Sequence, residues 1–277
     1  MAESYARERS YGRAENEMRP VTLTRDVMKN ALGSCLAEFG DTRVLCCATI
    51  ADEVPGWRKN AHAGWVTAEY AMLPASTSTR SKREQNGRKG RSMEIERLIG
   101  RSLRTVVNMR TMGEITVTVD CDVIQADGGT RTASVTGAWV ALHDALKRWV
   151  EAGRIPRVPL TGQVAAVSMG MVDGRLLLDL DYPEDSHAEV DMNLVGTADG
   201  GIVLKLVNCA EAPKRVEVRG LFGKVRRTVF TGPHRDAHNS PFEPEALKES
   251  VSDFPLPGTD ILPPLSLVIY SLKGKGE

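Results

Sequence analysis

Three groups of residues carry side chains able to do chemistry. The first is Asp127-Gly128-Gly129-Thr130-Arg131-Thr132-Ala133-Ser134, between a strand-like and a helix-like stretch. Two glycines let the backbone turn sharply and bring its N–H groups against an anion. A helix starting there adds unpaired N–H donors and a partial positive charge. Thr130 can donate from its hydroxyl, and Arg131 can grip two phosphate oxygens in parallel. The competing reading is a tight turn with a solvated arginine. The second group is Arg80–Arg104, with Arg80, Lys82, Arg83, Arg88, Lys89, Arg91, Arg97, Arg101 and Arg104 against Glu84, Glu94 and Glu96. Its glycine-bearing loop could track a nucleic-acid backbone through phosphate contacts. Arg97, Arg101 and Arg104 share one helical stripe, which could equally be a solvated face with Glu94 pairing to Arg97 or Arg101. The third group is acidic: Asp179, Asp181, Glu184, Asp185, Glu189 and Asp191. Carboxylates at this density can bind Mg²⁺ or move protons, or simply form an exposed loop. Asp185 and Asp191 are six positions apart, so the chain must bend for them to meet.

Composition narrows the classes. Thirty-six basic residues balance 36 acidic ones in a chain of 277, which excludes a protein that holds nucleic acid by bulk charge but leaves a local basic patch open. The 42% of hydrophobic residues can build a core, and no apolar run approaches a membrane span. The charged N-terminus lacks the apolar segment of a secretory signal. Cys35, Cys46, Cys47, Cys121 and Cys209 form no CxxC pair and read as reduced thiols, which points to the cytoplasm. The five histidines pair with no nucleophile, and neither a Walker A nor a G-x-G-x-x-G motif occurs.

These residues need elements to position them. Residues 1–17 read as a polar, frayed extension. Ser34–Phe39 and Arg43–Ile50 form a hairpin around Gly40-Asp41-Thr42, and Gly64–Tyr70 is another strand. Apolar spacing predicts one helix from Ser92, its N-cap, to about Met112, stopped by Gly113. Ile115–Ile124 alternates as a strand, and a long helix follows from about Thr132 to Ala152. Gln163–Val172 and Arg175–Leu180 flank Asp173-Gly174 as a hairpin. After the acidic loop come strands Ala188–Val195 and Ile202–Val207. Strand hairpins separated by long helices favour an α+β fold over a doubly wound parallel sheet. Eight of the 14 prolines lie from Pro213 onward, so residues 212–277 read as loops or irregular chain, with one short strand at Leu265–Leu272.

Several long motifs occur together in one order: Met18-Arg19-Pro20-Val21-Thr22-Leu23, Gly64-Trp65-Val66-Thr67-Ala68-Glu69-Tyr70, Met72-Leu73-Pro74 and Gly90-Arg91-Ser92-Met93-Glu94-Ile95. Cys121–Ser134, Glu184-Asp185-Ser186 and Ala188–Asn193 complete the set. Through them the chain resembles the ribonuclease PH family of phosphate-dependent 3′→5′ exoribonucleases over residues 18–203. The resemblance implies a ribonuclease PH-like domain over 18–211, with the ribosomal-protein-S5 domain-2-like fold, in a ring-shaped homohexamer built as a trimer of dimers. It places phosphate binding on Arg91, Gly129, Thr130 and Arg131, and catalytic and Mg²⁺-associated carboxylates on Asp185 and Asp191. RNA contacts fall on Arg80 and Arg83. The implied reaction releases nucleoside 5′-diphosphates from tRNA precursors and other RNA 3′ ends, with inorganic phosphate as co-substrate. DNA and membranes are not expected partners. The alternatives are a non-catalytic RNA-binding ring subunit and an inactive product with a disrupted C-terminus. Two departures stand out. Ala75 follows Pro74 where the family usually has arginine. After Ile202-Val203 the family's E-x-Q-G-T-A-E strand and closing helix are missing, as in a rebuilt tail or an altered reading frame, and a lost closing helix would leave apolar surface exposed.

Overall fold

The computed structural model describes residues 8–83, 90–197, 202–208, 211–231 and 248–272. It divides into two units, Met18–Ala166 and a second made of Met1–Glu17 with Val167–Glu277. The division falls inside the stretch read from sequence as one domain, 18–211, because each side builds a sheet of its own.

The first unit holds β1 (Val21–Arg25), β2 (Gly33–Phe39), β3 (Thr42–Ala51), β4 (Trp65–Met72), α1 (Gly90–Arg104), α2 (Met109–Met112), β5 (Thr116–Gln125) and α3 (Thr130–Glu151). Its five strands run in the order β1-β2-β3-β5-β4, antiparallel except for the β4–β5 pair. On β5, Val117, Val119, Cys121 and Val123 are buried while the residues between them are partly exposed, the alternation expected of a sheet covered on one face. α3 packs on β2, β3 and β5, and α1 on β4 and α3. Close approach of α3 depends on Gly137, where a Cβ would lie 2.8 Å from both Ala37 Cβ and Cys46 Sγ. Cys35, Cys46 and Cys121 are buried free thiols beneath that helix, and Cys47 is half-buried.

The hairpin, the β5 strand and the long helix match the sequence expectation. The helix predicted from Ser92 to Met112 does not run unbroken. It starts two residues earlier, ends at Arg104, and a separate turn, α2, is capped by Asn108 and closed by Gly113 at φ 77°. Val107 between them bridges to Leu160, which pulls the chain out of helix.

The second unit contains a 3₁₀ turn (Ser10–Gly12), most of β6 (Val164–Val172), β7 (Arg175–Leu178), α4 (Tyr182–His187), β8 (Val190–Thr197), β9 (Ile202–Asn208), β10 (Lys214–Thr231), β11 (Lys248–Leu262) and β12 (Ser266–Leu272). The sheet order is β11-β10-β12-β9-β8-β6-β7. Two sequence readings differ from this. Residues 9–17, read as frayed, are mostly exposed but anchored by two buried side chains, Arg9 and Arg13. The tail, read as loops with one strand, carries three among its described residues. Val216, Val225, Val229, Leu262, Val268 and Tyr270 from the tail join Val190, Met192, Leu204 and Leu206 in one buried core. The prolines misled because Pro255 and Pro257 lie on β11, at the sheet edge, where proline is tolerated. The buried Asn208 amide donates to the carbonyls of Ala212 (3.0 Å), Leu262 (3.3 Å) and Pro263 (2.8 Å), tying the tail to β9.

Candidate functional site

The glycine loop is built from the inside outward. Gly128 (φ 75°) and Gly129 (φ 66°) both take the left-handed conformation that other residues avoid. Thr42, fully buried at the start of β3, accepts from the Asp127 N–H (3.0 Å) and donates to the Gly128 carbonyl (2.6 Å). Arg19, also fully buried, donates to the carbonyls of Asp127 and Gly128 and lies 3.6 Å from the Asp127 carboxylate. Carbonyls are thus held on the protein side. Consecutive turns of this kind gather backbone N–H groups into an anion-binding concavity. Gly129 is also the N-cap of the 22-residue α3 and offers its first amides no side-chain acceptor.

Of the four residues assigned to phosphate, Thr130 bonds to a fifth that the sequence reading missed, and the charges of Arg91 and Arg131 act on it. Tyr70, buried near the end of β4, shares a 2.9 Å hydrogen bond between its hydroxyl and that of Thr130. Burial pushes the Tyr70 phenol up, while the Thr130 hydroxyl and the positive charges of Arg91 and Arg131 pull it back. Both arginines therefore sit in the electrostatic reach of one phenol. Arg131 is oriented by Glu94, its Nη2 and Nε lying 3.3 and 3.4 Å from the same carboxylate oxygen. Pairing of Glu94 along its own helix with Arg97 or Arg101 was one reading of that stripe; the pair with Arg131 ties α1 to α3. Glu96 accepts from the Tyr70 N–H (3.3 Å), fixing α1 to β4. The sequence signal for Tyr70 and Arg19 was their place inside the quoted motifs, but nothing local marks either as a site residue.

The basic segment is only partly described. Arg80 and Arg83 are exposed on the loop after β4, which is closed by Ser81 N–H to Pro74 O (2.9 Å) and tied to the end of β5 by Ala126 N–H to Ser76 O (2.8 Å). Arg88 and Lys89 lie outside the described residues. Arg97 and Arg101 are exposed. Arg104 instead lies 4.4 Å over the Trp65 ring and donates to the Val66 carbonyl (2.8 Å), so it serves packing.

Asp185 and Asp191 belong to the other unit. The four acidic residues around them, Asp179, Asp181, Glu184 and Glu189, hold the local structure. Asp179 pairs with Arg13 (3.6 Å) and Glu184 with Arg9 (2.7 Å), all buried. Asp181 caps α4 by accepting from the Glu184 N–H (3.0 Å), and Glu189 pairs with Lys214. Asp185 sits in the second half of α4, Asp191 on β8, and both are half-buried. Among the described residues no group of three His, Cys, Asp or Glu side chains converges as a metal cage. A pair of carboxylates is nevertheless the donor chemistry Mg²⁺ uses, since it keeps much of its water and takes one or two carboxylates with substrate phosphates. Among the described residues no helix is long and apolar enough to cross a membrane.

Comparison with known proteins agrees with this layout. Residues 17–147 match domain 1, and residues 162–208 domain 2, of the 3′ exoribonuclease (RNase PH) family. Among solved structures, the chain is similar to rice (Oryza sativa) Rrp46, with 22% identity and a TM-score of 0.55 over 68% of this chain and 80% of that one. It is also similar to a chain of the Archaeoglobus fulgidus exosome with RNA bound to the active site, at 22% identity and a TM-score of 0.60, over 69% of this chain and 78% of that one.

Proposed function

This chain belongs to the 3′ exoribonuclease (RNase PH) family, and from that premise we propose that it is a phosphate-dependent 3′→5′ exoribonuclease acting on tRNA precursors and other RNA 3′ ends. The observation that carries the proposal is the cradle at the start of α3. Thr130 bonds to Tyr70 beside two left-handed glycines, and the charges of Arg91 and Arg131 act on the same phenol, an arrangement suited to a small tetrahedral anion.

Inorganic phosphate, oriented by Arg91, Arg131 and the Gly129-Thr130 segment, attacks the phosphorus of the last phosphodiester. A new P–O bond forms to the incoming phosphate and the bond to the 3′-oxygen breaks. Asp185 supplies the proton to that departing oxygen. The products are a nucleoside 5′-diphosphate and an RNA one nucleotide shorter. Arginines placed before the reaction stabilise charge on the phosphorus oxygens without reorganisation. Asp191 would hold Mg²⁺, which would supply further neutralisation of phosphate charge. The exposed Arg80 and Arg83 give the RNA backbone a salt-sensitive contact. On this reading the chain assembles as a homohexameric ring, the assembly that its resemblance to the family implies.

The test is chromatographic detection of nucleoside diphosphate from a 3′-extended tRNA with Mg²⁺, with and without phosphate. Phosphate-dependent release, lost in Arg131→Ala, is expected. Soluble, oligomeric protein that binds RNA yet releases nothing would replace this reading with that of a non-catalytic ring subunit.

A further inference from the structure

Arg9 and Arg13 lie far in sequence from every candidate site residue, yet their most buried contacts fall on the residue next to Asp185. The Glu184 carboxylate is fully buried. One of its oxygens accepts from Arg9 Nε (2.7 Å), and the other from Arg9 Nη2 (3.2 Å) and from the Asp181 N–H (3.1 Å). Arg13 Nη2 stands 3.6 Å from that second oxygen. Glu184 therefore closes the capping box of α4 and is gripped by two arginines with the same two atoms.

The same guanidinium groups hold the end of β7. Arg9 donates to the Leu178 carbonyl (2.6 Å), and Arg13 to that of Asp179 (2.8 Å). Asp179 has φ 55°, a left-handed conformation that costs a non-glycine residue energy and persists only when its surroundings enforce it. The N-terminal segment runs alongside, with the Leu178 N–H donating to the Glu15 carbonyl (2.8 Å). α4 has only six residues, too few to hold its own shape. Its outward side chains Tyr182, Ser186 and His187 are exposed. Its placement therefore depends on Glu184, and that of Glu184 on the arginines.

We propose that residues 9–13 form a positioning clamp for Asp185, in which Arg9 and Arg13 fix α4 through Glu184 and thereby set the placement of the acid in the reaction. This rests on the role given to Asp185 above. Arg9 and Arg13 are positioning residues and touch no substrate. The fork geometry matters, because two parallel bonds fix an angle that a lysine, as a point charge, leaves open.

The experiment uses the full chain with Arg9→Met, Arg9→Lys, Glu184→Gln and Asp185→Asn. It measures kcat, the KM for phosphate, the melting temperature and amide hydrogen exchange over residues 182–188. Displacing the acid by about 1 Å is expected to lower kcat by about 100-fold in Arg9→Met. Phosphate KM should stay within about twofold, since the phosphate side chains belong to the other unit. Arg9→Lys should restore only part of kcat. The amides of Asp185 and Ala188, bonded to the Asp181 and Asp185 carbonyls (2.8 and 3.3 Å), should lose protection. Should Arg9→Met fail to fold, Glu184→Gln, which keeps volume and removes charge, takes its place. Wild-type kcat in Arg9→Met beside an inactive Asp185→Asn would overturn the clamp, as would a matched loss of melting temperature and phosphate affinity. If Asp185→Asn retains full turnover, the catalytic assignment falls instead. Exchange then decides the clamp alone, and unchanged protection of α4 refutes it.

Discussion

Thr42→Val is the sharpest test of the glycine loop, because it keeps the shape of the side chain and deletes one atom's hydrogen bonding. Thr42 Oγ1 makes two bonds to the loop, one accepted from Asp127 N–H and one donated to Gly128 O, at a fully buried position. The Gly128 carbonyl keeps Arg19, whereas the Asp127 N–H loses this acceptor. A typical net hydrogen bond is worth about 1 kcal/mol, and leaving a partly buried donor unmet costs about 1–2 kcal/mol, so the substitution should destabilise by roughly 2–3 kcal/mol. In a unit of this size that corresponds to a fall in Tm of roughly 4–12 °C. The loop should also hold phosphate less well, so the rise in Tm that phosphate gives to the parent protein should shrink. Scanning fluorimetry with and without phosphate reads both quantities, and Thr42→Ser, which restores the hydroxyl, should recover most of each. A Tm within about 1 °C of the parent, with the phosphate-induced rise intact, would refute the reasoning that these two bonds shape the anion site.

Three further outcomes follow from the geometry. Tyr70→Phe removes the Thr130 partner without emptying the core, so titration calorimetry should show phosphate affinity weakened by about fivefold, with Tm lower by a few degrees, consistent with about 1 kcal/mol for one bond. Burial lifts the Cys35 thiol from 9.0 to about 11, and burial with Asp120 and Asp122 does the same for Cys47. The unfolded chain releases these protons first, so stability should fall as pH rises from about 9 through about 11, and urea midpoints in Cys47→Ser should show a shallower decline. Gly137→Ala forces a methyl against Ala37 and Cys46 and should destabilise by about 1–3 kcal/mol in urea unfolding.

What was legible in the sequence follows the range of the interactions concerned. β2, β3, β5 and α3 announce themselves because their patterns repeat within a few residues and their ends carry Gly or Asp turn signals. Helix α1 was drawn too long because Val106, Val107 and Met109 keep a helical spacing, while the bridge from Val107 to Leu160 that breaks it involves a partner 53 positions away. In the tail, β10 and β11 are invisible to periodicity. Proline density suppresses a strand reading, and only pairing of β10 with both β11 and β12 makes those residues extended.

The site shows the same division between local and distant. Thr130 and Arg131 stand in a glycine-rich motif whose residue types suggest an anion site, and Arg91 was placed with them by the family resemblance. Tyr70, Arg19 and Thr42 carry no such local signal, because a buried tyrosine, arginine or threonine has meaning only through what it meets. Arg19 is the instructive one. Its charge would normally argue for a solvent face, yet its side chain is fully buried against two carbonyls and a carboxylate of a loop 108 positions later in the chain. Arg9 and Arg13 repeat the pattern against Glu184 and Asp179. Burial of an arginine is tolerable only where its donors are met by acceptors in fixed geometry, so each of these is evidence that the loop it grips has one conformation. Both gripped loops carry proposed reacting or phosphate-binding residues, Thr130 and Arg131 in one unit and Asp185 in the other. The chain thus uses buried cations to stiffen the backbone beside its candidate chemistry, and a polar segment with arginines at its start need not be a frayed end.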